Sequence, residues 1–250
     1  MQNTLLQEVQ ASGITLQCDT HVQKLHQDSR QVDVTFSEGM PANGDANETA
    51  STSMQDQSQS QSQSQSESAD ALVIADGVWS SLRQQLLGDG PDPPRMTGHL
   101  AYRALVQQAD LPTHLRTQDV SVWMGNKVHV VQYPVRKGEW LNVVCLTEGQ
   151  LQGVSMQDLQ DWNVSKTPQE TSADLQSALQ GACPHLQALV EACSQWRVWP
   201  LCDRPTMQSA AEHAQGRVAL VGDAAHPMRP YLAQGAGMAI EDAAELAHQW

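Results

Sequence analysis

The stretch that decides the fold is Gly216-Arg217-Val218-Ala219-Leu220-Val221-Gly222-Asp223-Ala224-Ala225-His226-Pro227. An apolar strand here runs into Gly222, which permits a ligand to approach the backbone closely, and into Asp223, which presents a carboxylate at the strand's carboxyl end. A carboxylate in this position suits the hydroxyl groups of a ribityl or ribose chain. The stretch therefore predicts a ligand-binding site at the edge of an α/β sheet.

The residues that follow predict a helix with a glycine-rich amino terminus, Gly235-Ala236-Gly237-Met238-Ala239-Ile240 and onward to Ala247. The first amides of a helix have no partner within it, and its dipole is positive there, so they can hold a developing negative charge. The stretch lacks the third glycine of the G-x-G-x-x-G fingerprint and does not follow directly on a strand, which disfavours a pyrophosphate-binding role. In the structural alternative, Asp223 caps a turn and the glycines allow tight packing.

A second candidate site is Asp76-Gly77, which follows the apolar run from Ala71 to Ala75. Such a run is typical of a strand covered on both faces, and Asp-Gly makes a tight turn into the helix predicted from Trp79 to Leu87. Arg83, one helical turn further on, is within reach of a carboxylate or phosphate. A purely structural turn is the alternative, because Asp-Gly is common in turns.

Outward from these two sites, the pattern changes from α/β to β-rich and back. Alternating residues predict a strand at Ile14 to Cys18 and a hairpin with its tip at 28–30. Later segments alternate in the same way and predict further strands, with turns at Gly125-Asn126 and Lys137-Gly138. These strands are His99 to Val106, Val120 to Met124, Lys127 to Val135 and Trp140 to Leu146. The fold class predicted is α/β, with an α+β part built on a β-sheet. The boundaries are 1–39 and 69–94 for the α/β portion, 40–68 for an insertion, 95–205 for the β-rich domain and 206–250 for the return to the α/β portion.

The insertion is low in complexity, with repeated Gln-Ser pairs from Gln57 to Ser66. It has little apolar surface to bury against the entropy of ordering, so we predict a disordered loop or linker. The role of the Gln-Ser pairs is open.

Composition excludes several partners. The chain has 14 Lys+Arg against 28 Asp+Glu, a formal net charge of −14, which disfavours nucleic acid and anionic membrane surfaces. No apolar run approaches the length that spans a bilayer. The five cysteines are irregularly spaced, which suits reduced thiols and a cytoplasmic location.

These motifs carry a family resemblance. Val73 to Arg83 resembles the Asp-Gly motif, and Gly216 to Ala247 closely resembles the Gly-Asp motif, of the single-component FAD-dependent aromatic hydroxylases, the group of salicylate and 3-hydroxybenzoate hydroxylases. Between them, Thr97 to Val106 and Trp123 to Arg136 are similar to that group's substrate-domain strands. The resemblance covers nearly the whole chain apart from the Gln-Ser tract. It implies that the α/β portion is a partial Rossmann-like FAD-binding domain and that 95–205 is a β-sheet substrate domain, as in aromatic hydroxylases.

The resemblance implies a monooxygenase that hydroxylates a small aromatic carboxylic acid with FAD, NADH or NADPH as transient reductant and O₂, through a flavin C4a-hydroperoxide. It leaves a homodimer open. Removal of a phenolic proton activates the ring, and an imidazole has a suitable pKa for the base. The candidate residues are His129 as the base; Gly222, Asp223, Pro230, Gly235, Ala236, Asp76, Gly77 and Arg83 for FAD; and Tyr102, Arg103 and Tyr133 for substrate.

The chain departs from the family in one respect. Family members begin with a βαβ unit whose G-x-G-x-x-G holds the FAD pyrophosphate, and we find no such fingerprint here. We therefore expect weak or no stable FAD binding and no turnover from these residues alone. The alternative function is a truncated, inactive flavoprotein remnant that acts at most as a binding module.

Three further readings stay open. A flavoenzyme of the same fold could carry out epoxidation or halogenation. A metal site could form from Cys183, His185, Cys193 and Cys202, although no closely spaced Cys pair is present. His226 near Asp223 could form a hydrolytic dyad, although no G-x-S-x-G elbow is found. We predict no metal.

Overall fold

The computed structural model describes residues 2–38, 65–88, 93–151, 153–155, 158–159 and 166–249. They divide into two compact units. The first comprises Met1–Asp76, Ser80–Pro91 and Met207–Ala225, and the second Gly77–Trp79, Asp92–Thr206 and His226–Trp250. Each unit is therefore assembled from segments that are distant in the sequence.

The first unit contains two three-stranded sheets. One is antiparallel in the order β1-β2-β3; in the other, β10-β11-β4, the pair β11 and β4 is parallel. The elements are α1 (Gln2–Ala11), β1 (Thr20–Gln27), β2 (Val32–Glu38), β3 (Gln65–Ala69), β4 (Leu72–Ile74), α2 (Ser81–Leu87), α5 (Ala210–His213), β10 (Ala214–Gln215) and β11 (Val218–Leu220).

The core of this unit lies around the parallel pair. Ile74 and Val218 are buried with Leu82 of α2 and Val32 of the hairpin. α2 begins where it does because the Ser80 hydroxyl accepts a hydrogen bond from the amide of Arg83 at 3.0 Å, which satisfies an otherwise unpaired donor. The cap at Ser80 and the packing of Leu82 therefore fix where α2 begins after β4.

The second unit is built on a five-stranded antiparallel sheet in the order β6-β7-β8-β5-β9. Two helices cover one face, where Leu141, Val143 and Cys145 of the central strand are fully buried. The elements are β5 (Arg95–Gln107), β6 (Ser121–Gly125), β7 (Val128–Val135), β8 (Trp140–Glu148), α3 (Pro168–Ala178), α4 (Pro184–Ala192), β9 (Trp196–Asp203) and α6 (Gly235–Gln249).

Alternation along the strands separates this core from the opposite face of the sheet. Leu100, Tyr102 and Ala104 belong to the core under the helices, whereas Ala101 packs with Leu146 on the other side. We call this other side the open face. It carries the odd-numbered residues of β5 and β7.

The structure confirms the predicted hairpin, the strands of the second unit, the strand after Ala71 and the helix before Leu87. The strand predicted at Ile14 to Cys18 is wrong: these residues are irregular, and Ile14 is 59% exposed. Alternation alone gave the prediction, and a strand also needs a partner edge. The spacing of apolar residues also predicts a helix from Met156 to Trp162, and these residues lie mostly outside the described part of the chain.

The predicted insertion is corrected at its carboxyl end. Residues 65–68 belong to β3, which pairs with β2, and the Ser68 hydroxyl donates to the Asp33 carboxylate at 2.6 Å. Backbone pairing and polar side-chain contacts stabilise an edge strand whose five residues are all exposed. The rest of the Gln-Ser tract, up to Ser64, lies outside the described residues.

The prediction that the strand of β4 is covered on both faces is also wrong for the described residues. Val73 is 37% exposed, while its neighbour Ile74 is 2% exposed. Only the Ile74 face of the strand packs against the core of the first unit.

Candidate functional site

In the first unit, the two predicted motifs lie at neighbouring strand ends. β4 and β11 pair in parallel, and the amide of Val221 donates to the carbonyl of Ile74 at 3.0 Å. Because the carboxyl ends of parallel strands meet at one edge of a sheet, Asp76 and Asp223 both follow that edge. Both carboxylates are exposed.

Arg83 joins the two motifs. Its side chain is 1% exposed, and Nη1 donates to the carbonyl of Ala224 at 3.0 Å and to that of Ala225 at 2.7 Å. The sequence predicted that Arg83 lies within reach of a carboxylate or phosphate, which stays a prediction. In the structure its guanidinium donates to backbone carbonyls of the Gly-Asp turn, so Arg83 holds the shape of this turn.

Glycine is required at Gly222 for a conformational reason. Its φ of +56° lies in the left-handed region, at the start of a 3-10 turn from Gly222 to Ala224. A residue with a Cβ would be strained there, and this turn is what presents Asp223. Gly77 has a φ of +78° in the turn after Asp76.

In the second unit, a short turn leads into α6. Pro230–Leu232 forms a 3-10 turn, and Ala233 ends it in the left-handed region with a φ of +52°. The amide of Met238 donates to the carbonyl of Gln234 at 2.9 Å, which begins the helical pattern. The amides of Gly235 and Ala236 precede that bond and have no acceptor within the helix.

His226 stabilises this helix. Its Nε2 lies 2.7 Å from Oδ2 of Asp242, in the second turn of α6. His226 therefore has a structural partner sixteen residues away, which argues against a hydrolytic dyad. Its Nδ1 is buried and has no hydrogen-bond partner in the part of the chain that the structure describes.

The open face of the sheet gathers several candidate residues. His129 and Tyr133 lie on β7 and Arg103 on β5, at odd-numbered positions that share this face. The ring of Tyr231, from the turn before α6, contacts His129 edge to face with 5.7 Å between the ring centroids. The structure thus places the predicted base next to the loop that carries Pro230.

A cavity of about 260 Å³ lies at this place. Its apolar wall includes Met124, Val128 and Leu146, and its polar wall includes His129. The remaining lining residues are His99, Gly125, Lys127 and Tyr231. Drug-sized ligands occupy pockets of about 300–1,000 Å³, so this cavity suits a single ring.

Arg103 is held by a side chain on the next strand. Its Nε donates to Oδ1 of Asn142 at 2.7 Å. The Asn142 side chain is fully buried, and its Nδ2 has no hydrogen-bond partner among the described residues. The bond fixes which end of the amide faces Arg103.

Tyr102 is not brought to this face. Its ring is 1% exposed in the core under the helices, and its hydroxyl donates to Oδ2 of Asp174 at 2.6 Å. Burial and the bond to Asp174 raise the pKa of Tyr102 above its ordinary value. Burial raises the pKa of Asp174, but hydrogen bonds from Lys166 and Tyr102 outweigh it, so the net pKa is lowered. Tyr102 lies on the covered face and not on the open face because it occupies an even-numbered position of its strand.

Sequence reasoning missed His99 and Tyr231, which both line the cavity. The hydroxyl oxygen of Tyr231 lies 2.8 Å from Nδ1 of His99, and the two residues are 132 positions apart. Alternation within β5 was enough to place His99 on the face of Arg103. No local signal indicates the partner.

Among the described residues, no group of His, Cys, Asp and Glu is arranged to hold a metal ion. No helix in the described ranges has the length and apolar character needed to cross a membrane.

Comparisons with known proteins show which family and which solved structures the chain is similar to. The sequence profile of the FAD binding domain family matches residues 1–249. The 3-hydroxybenzoate 6-hydroxylase of Polaromonas naphthalenivorans (strain CJ2) is 39% identical over 176 residues, which cover 70% of this chain and 40% of that protein.

Solved structures show the same fold. A salicylate hydroxylase in complex with substrate has a TM-score of 0.68 and 25% identity, over 98% of this chain and 54% of that one. Klebsiella pneumoniae HpxO, complexed with FAD and uric acid, has a TM-score of 0.69 and 23% identity, over 97% and 51%. The predicted fold class is confirmed. The chain spans about half the length of these proteins.

Proposed function

The chain belongs to the family of FAD binding domains, and from that premise we propose that it is part of an FAD-dependent monooxygenase that hydroxylates a small aromatic acid of the salicylate or hydroxybenzoate type. The observation that carries the proposal is the bonding of Arg83 to Ala224 and Ala225. It ties the Asp-Gly and Gly-Asp motifs together at the carboxyl ends of the parallel pair β4 and β11.

The types of residue at the two motifs suit the binding of a flavin. In the first unit, we assign to the exposed carboxylate of Asp223 the hydroxyl groups of the ribityl chain, because a carboxylate only accepts hydrogen bonds. Gly222 shapes this turn, and Asp76 with Gly77 supplies the neighbouring strand end. Arg83 acts through the backbone of the turn.

In the second unit, we assign the amides of Gly235 and Ala236 to the pyrimidine edge of the flavin and Pro230 to the neighbourhood of its ring. These amides are donors at the positive end of a helix, so they favour negative charge on the group they face. Bound FAD would supply electrons taken from NADH or NADPH and an oxygen atom taken from O₂.

For the substrate, we assign the base to His129. A ring nitrogen of His129 accepts the phenolic proton, which raises the electron density of the ring that is to be hydroxylated. Arg103 and Tyr133 lie on the same face of the sheet and are proposed substrate contacts. Tyr102 is not retained, because its hydroxyl is bonded to Asp174 within the core.

The test joins this chain to the parts of the Polaromonas naphthalenivorans relative that the match leaves out, and measures NADH and NADPH oxidation with 3-hydroxybenzoate. We expect acid-dependent oxidation and a product one oxygen heavier. His129→Asn should lower the rate by a factor of about 10²–10⁴, as expected for loss of a general base.

His185→Asn is the matched control, since His185 stacks on Trp123 and is not among the residues that line the cavity near His129. Flavin binding without any acid-dependent oxidation would favour the alternative, a binding module without activity. An unchanged rate in His129→Asn would contradict the assignment of the base to His129.

We further propose that the protein works in the cytoplasm. All five cysteines are free, including the exposed Cys18 and Cys183, which is typical of a reducing compartment. A homodimer stays a prediction.

A further inference from the structure

Two hydrogen bonds decide which nitrogen of the neutral His99 ring carries the proton. Nη1 of Arg229 lies 3.4 Å from Nε2 of His99, and the hydroxyl oxygen of Tyr231 lies 2.8 Å from Nδ1. A guanidinium has donors and no acceptor, so Nε2 must accept with its lone pair. The proton of the neutral ring is therefore on Nδ1, which donates to the oxygen of Tyr231.

In this arrangement the Tyr231 hydroxyl accepts a hydrogen bond from His99 and can donate its own proton to another acceptor. The Tyr231 ring stands between two imidazoles, with centroids 5.9 Å from His99 and 5.7 Å from His129, and both contacts are edge to face. All three residues line the cavity of about 260 Å³. Tyr231 is thus a hydrogen-bond donor at a cavity that also holds the proposed base.

The protonation of Tyr231 agrees with this role. Burial raises the pKa of the phenol, Arg229 opposes the shift, and the net pKa lies above its ordinary value. The hydroxyl therefore keeps its proton at neutral pH.

The positive charge of Arg229 beside the cavity favours an anionic ligand. Its Nη1 lies 3.4 Å from Nε2 of His99, which lines the cavity. Lys127, also on the cavity wall, is paired with Glu148 at 2.8 Å, so this pair adds no net charge. The apolar wall of Met124, Val128 and Leu146 accepts the ring of the ligand.

We propose that Tyr231 is a substrate-binding residue whose hydroxyl donates to the carboxylate of the aromatic acid, and that Arg229 and His99 are positioning residues that fix the direction of this hydrogen bond. The proposal rests on the proposed function and adds to it the recognition of the carboxylate. A carboxylate matches this donor, because it stays ionised at neutral pH and offers only hydrogen-bond acceptors.

The first measurement is the tautomer of His99 in the protein without ligand, by ¹⁵N NMR of the histidine rings. We expect the Nδ1–H form in the wild type and in Tyr102→Phe. Tyr231→Phe removes the acceptor and should shift the equilibrium toward the Nε2–H form. An Nε2–H tautomer in the wild type would overturn the inference, whatever the protein binds.

The second measurement is the affinity of the chain, with excess FAD, for benzoate, 3-hydroxybenzoate and phenol, by NMR titration. Tyr231→Phe should weaken the binding of benzoate and of 3-hydroxybenzoate about tenfold, since hydrogen bonds to charged groups are the stronger ones. It should leave the affinity for phenol unchanged. His99→Leu should act in the same way. His99→Asn, whose amide can donate in place of Nδ1–H, should restore part of the affinity.

The control is Tyr102→Phe, the same chemical change on the opposite face of the sheet, which should leave all three affinities unchanged. Equal carboxylate affinity in the wild type and Tyr231→Phe would overturn the inference while the proposed function stands. Equal weakening of phenol would overturn the assignment to the carboxylate. Failure of the wild type to bind any acid would contradict the proposed function and the inference together.

Discussion

Arg83 shows how one residue can join two distant parts of the chain. Its acceptors, the carbonyls of Ala224 and Ala225, are 141 and 142 positions away. Neither carbonyl belongs to a strand, so the guanidinium supplies hydrogen bonds that secondary structure does not. The turn that presents Asp223 therefore depends on this side chain.

At the residue scale, we predict that Arg83→Met lowers the free energy of unfolding by about 3 kcal/mol, because it leaves buried carbonyls without donors. Urea denaturation measures the change. Arg95→Met is the control: Arg95 is bonded to Asp203 at 2.7 Å with a side chain 64% exposed, so its loss should cost less than about 1 kcal/mol. Equal losses in the two variants would show that Arg83 does not hold the turn.

Residues of this kind mark the limit of what sequence could predict. The types and spacing around Asp76 and Asp223 predicted the two motifs, because strand ends and turns are local features. The partner of Arg83 could not be predicted, since a guanidinium is equally suited to a carboxylate, a phosphate or a carbonyl. The pairing of Tyr231 with His99 depends on the packing of a turn onto a sheet.

At the scale of elements, α3 illustrates a helix whose start is set locally. The Thr167 hydroxyl accepts from the amide of Glu170 at 3.2 Å, and the Glu170 carboxylate accepts from the amide of Thr167 at 2.9 Å. This capping box satisfies two free donors, and Pro168 suits the first helical position. The bond from the Thr167 amide, with that from its hydroxyl, lowers the pKa of Glu170.

We predict that Thr167→Ala destabilises the protein by about 1 kcal/mol, the usual cost of losing a helix cap. Thr113→Ala is the matched control, since Thr113 is exposed in a 3-10 turn that has no side-chain cap. Thermal or urea unfolding of both variants measures the difference. A Thr167→Ala variant as stable as Thr113→Ala would contradict the role of the cap.

Strand elements were predicted well where alternation and turn residues coincide, and poorly where one of them was lacking. Four of the five strands of the second unit follow from alternation bounded by turns. β3 was missed because all of its residues except Ala69 are polar, and pairing with β2 is a property of the sheet. Ile14 to Cys18 alternates but has no strand beside it in the described residues.

At the scale of the whole molecule, the buried thiols of the second unit make stability depend on pH. Burial raises the pKa of Cys145 from 9.0 to about 12. Unfolding lets the thiol ionise above its ordinary pKa. Its contribution to stability is therefore complete below pH 9 and is lost as the pH rises toward 12.

We predict that Cys145→Ala reduces the slope of unfolding free energy against pH in this window by at most about 1.4 kcal/mol per pH unit. Cys18→Ala, which changes an exposed thiol, should leave the slope as it is. Chemical denaturation at a series of pH values from 9 upward measures the slopes. The same slope in the wild type and Cys145→Ala would show that this thiol is not shielded in the folded state.

The central proposal assigns residues of the Gly-Asp turn in the first unit and of the amino terminus of α6 in the second unit to flavin binding, and an NMR titration of the ¹⁵N-labelled chain with FAD tests it most directly. The account predicts shifts of the amides of Asp223, Gly235 and Ala236, with an affinity about tenfold weaker in Asp223→Asn. Asp110→Asn removes the same charge at another exposed carboxylate and should not weaken binding. Shifts confined to other residues, or equal affinity in Asp223→Asn and the wild type, would contradict the account.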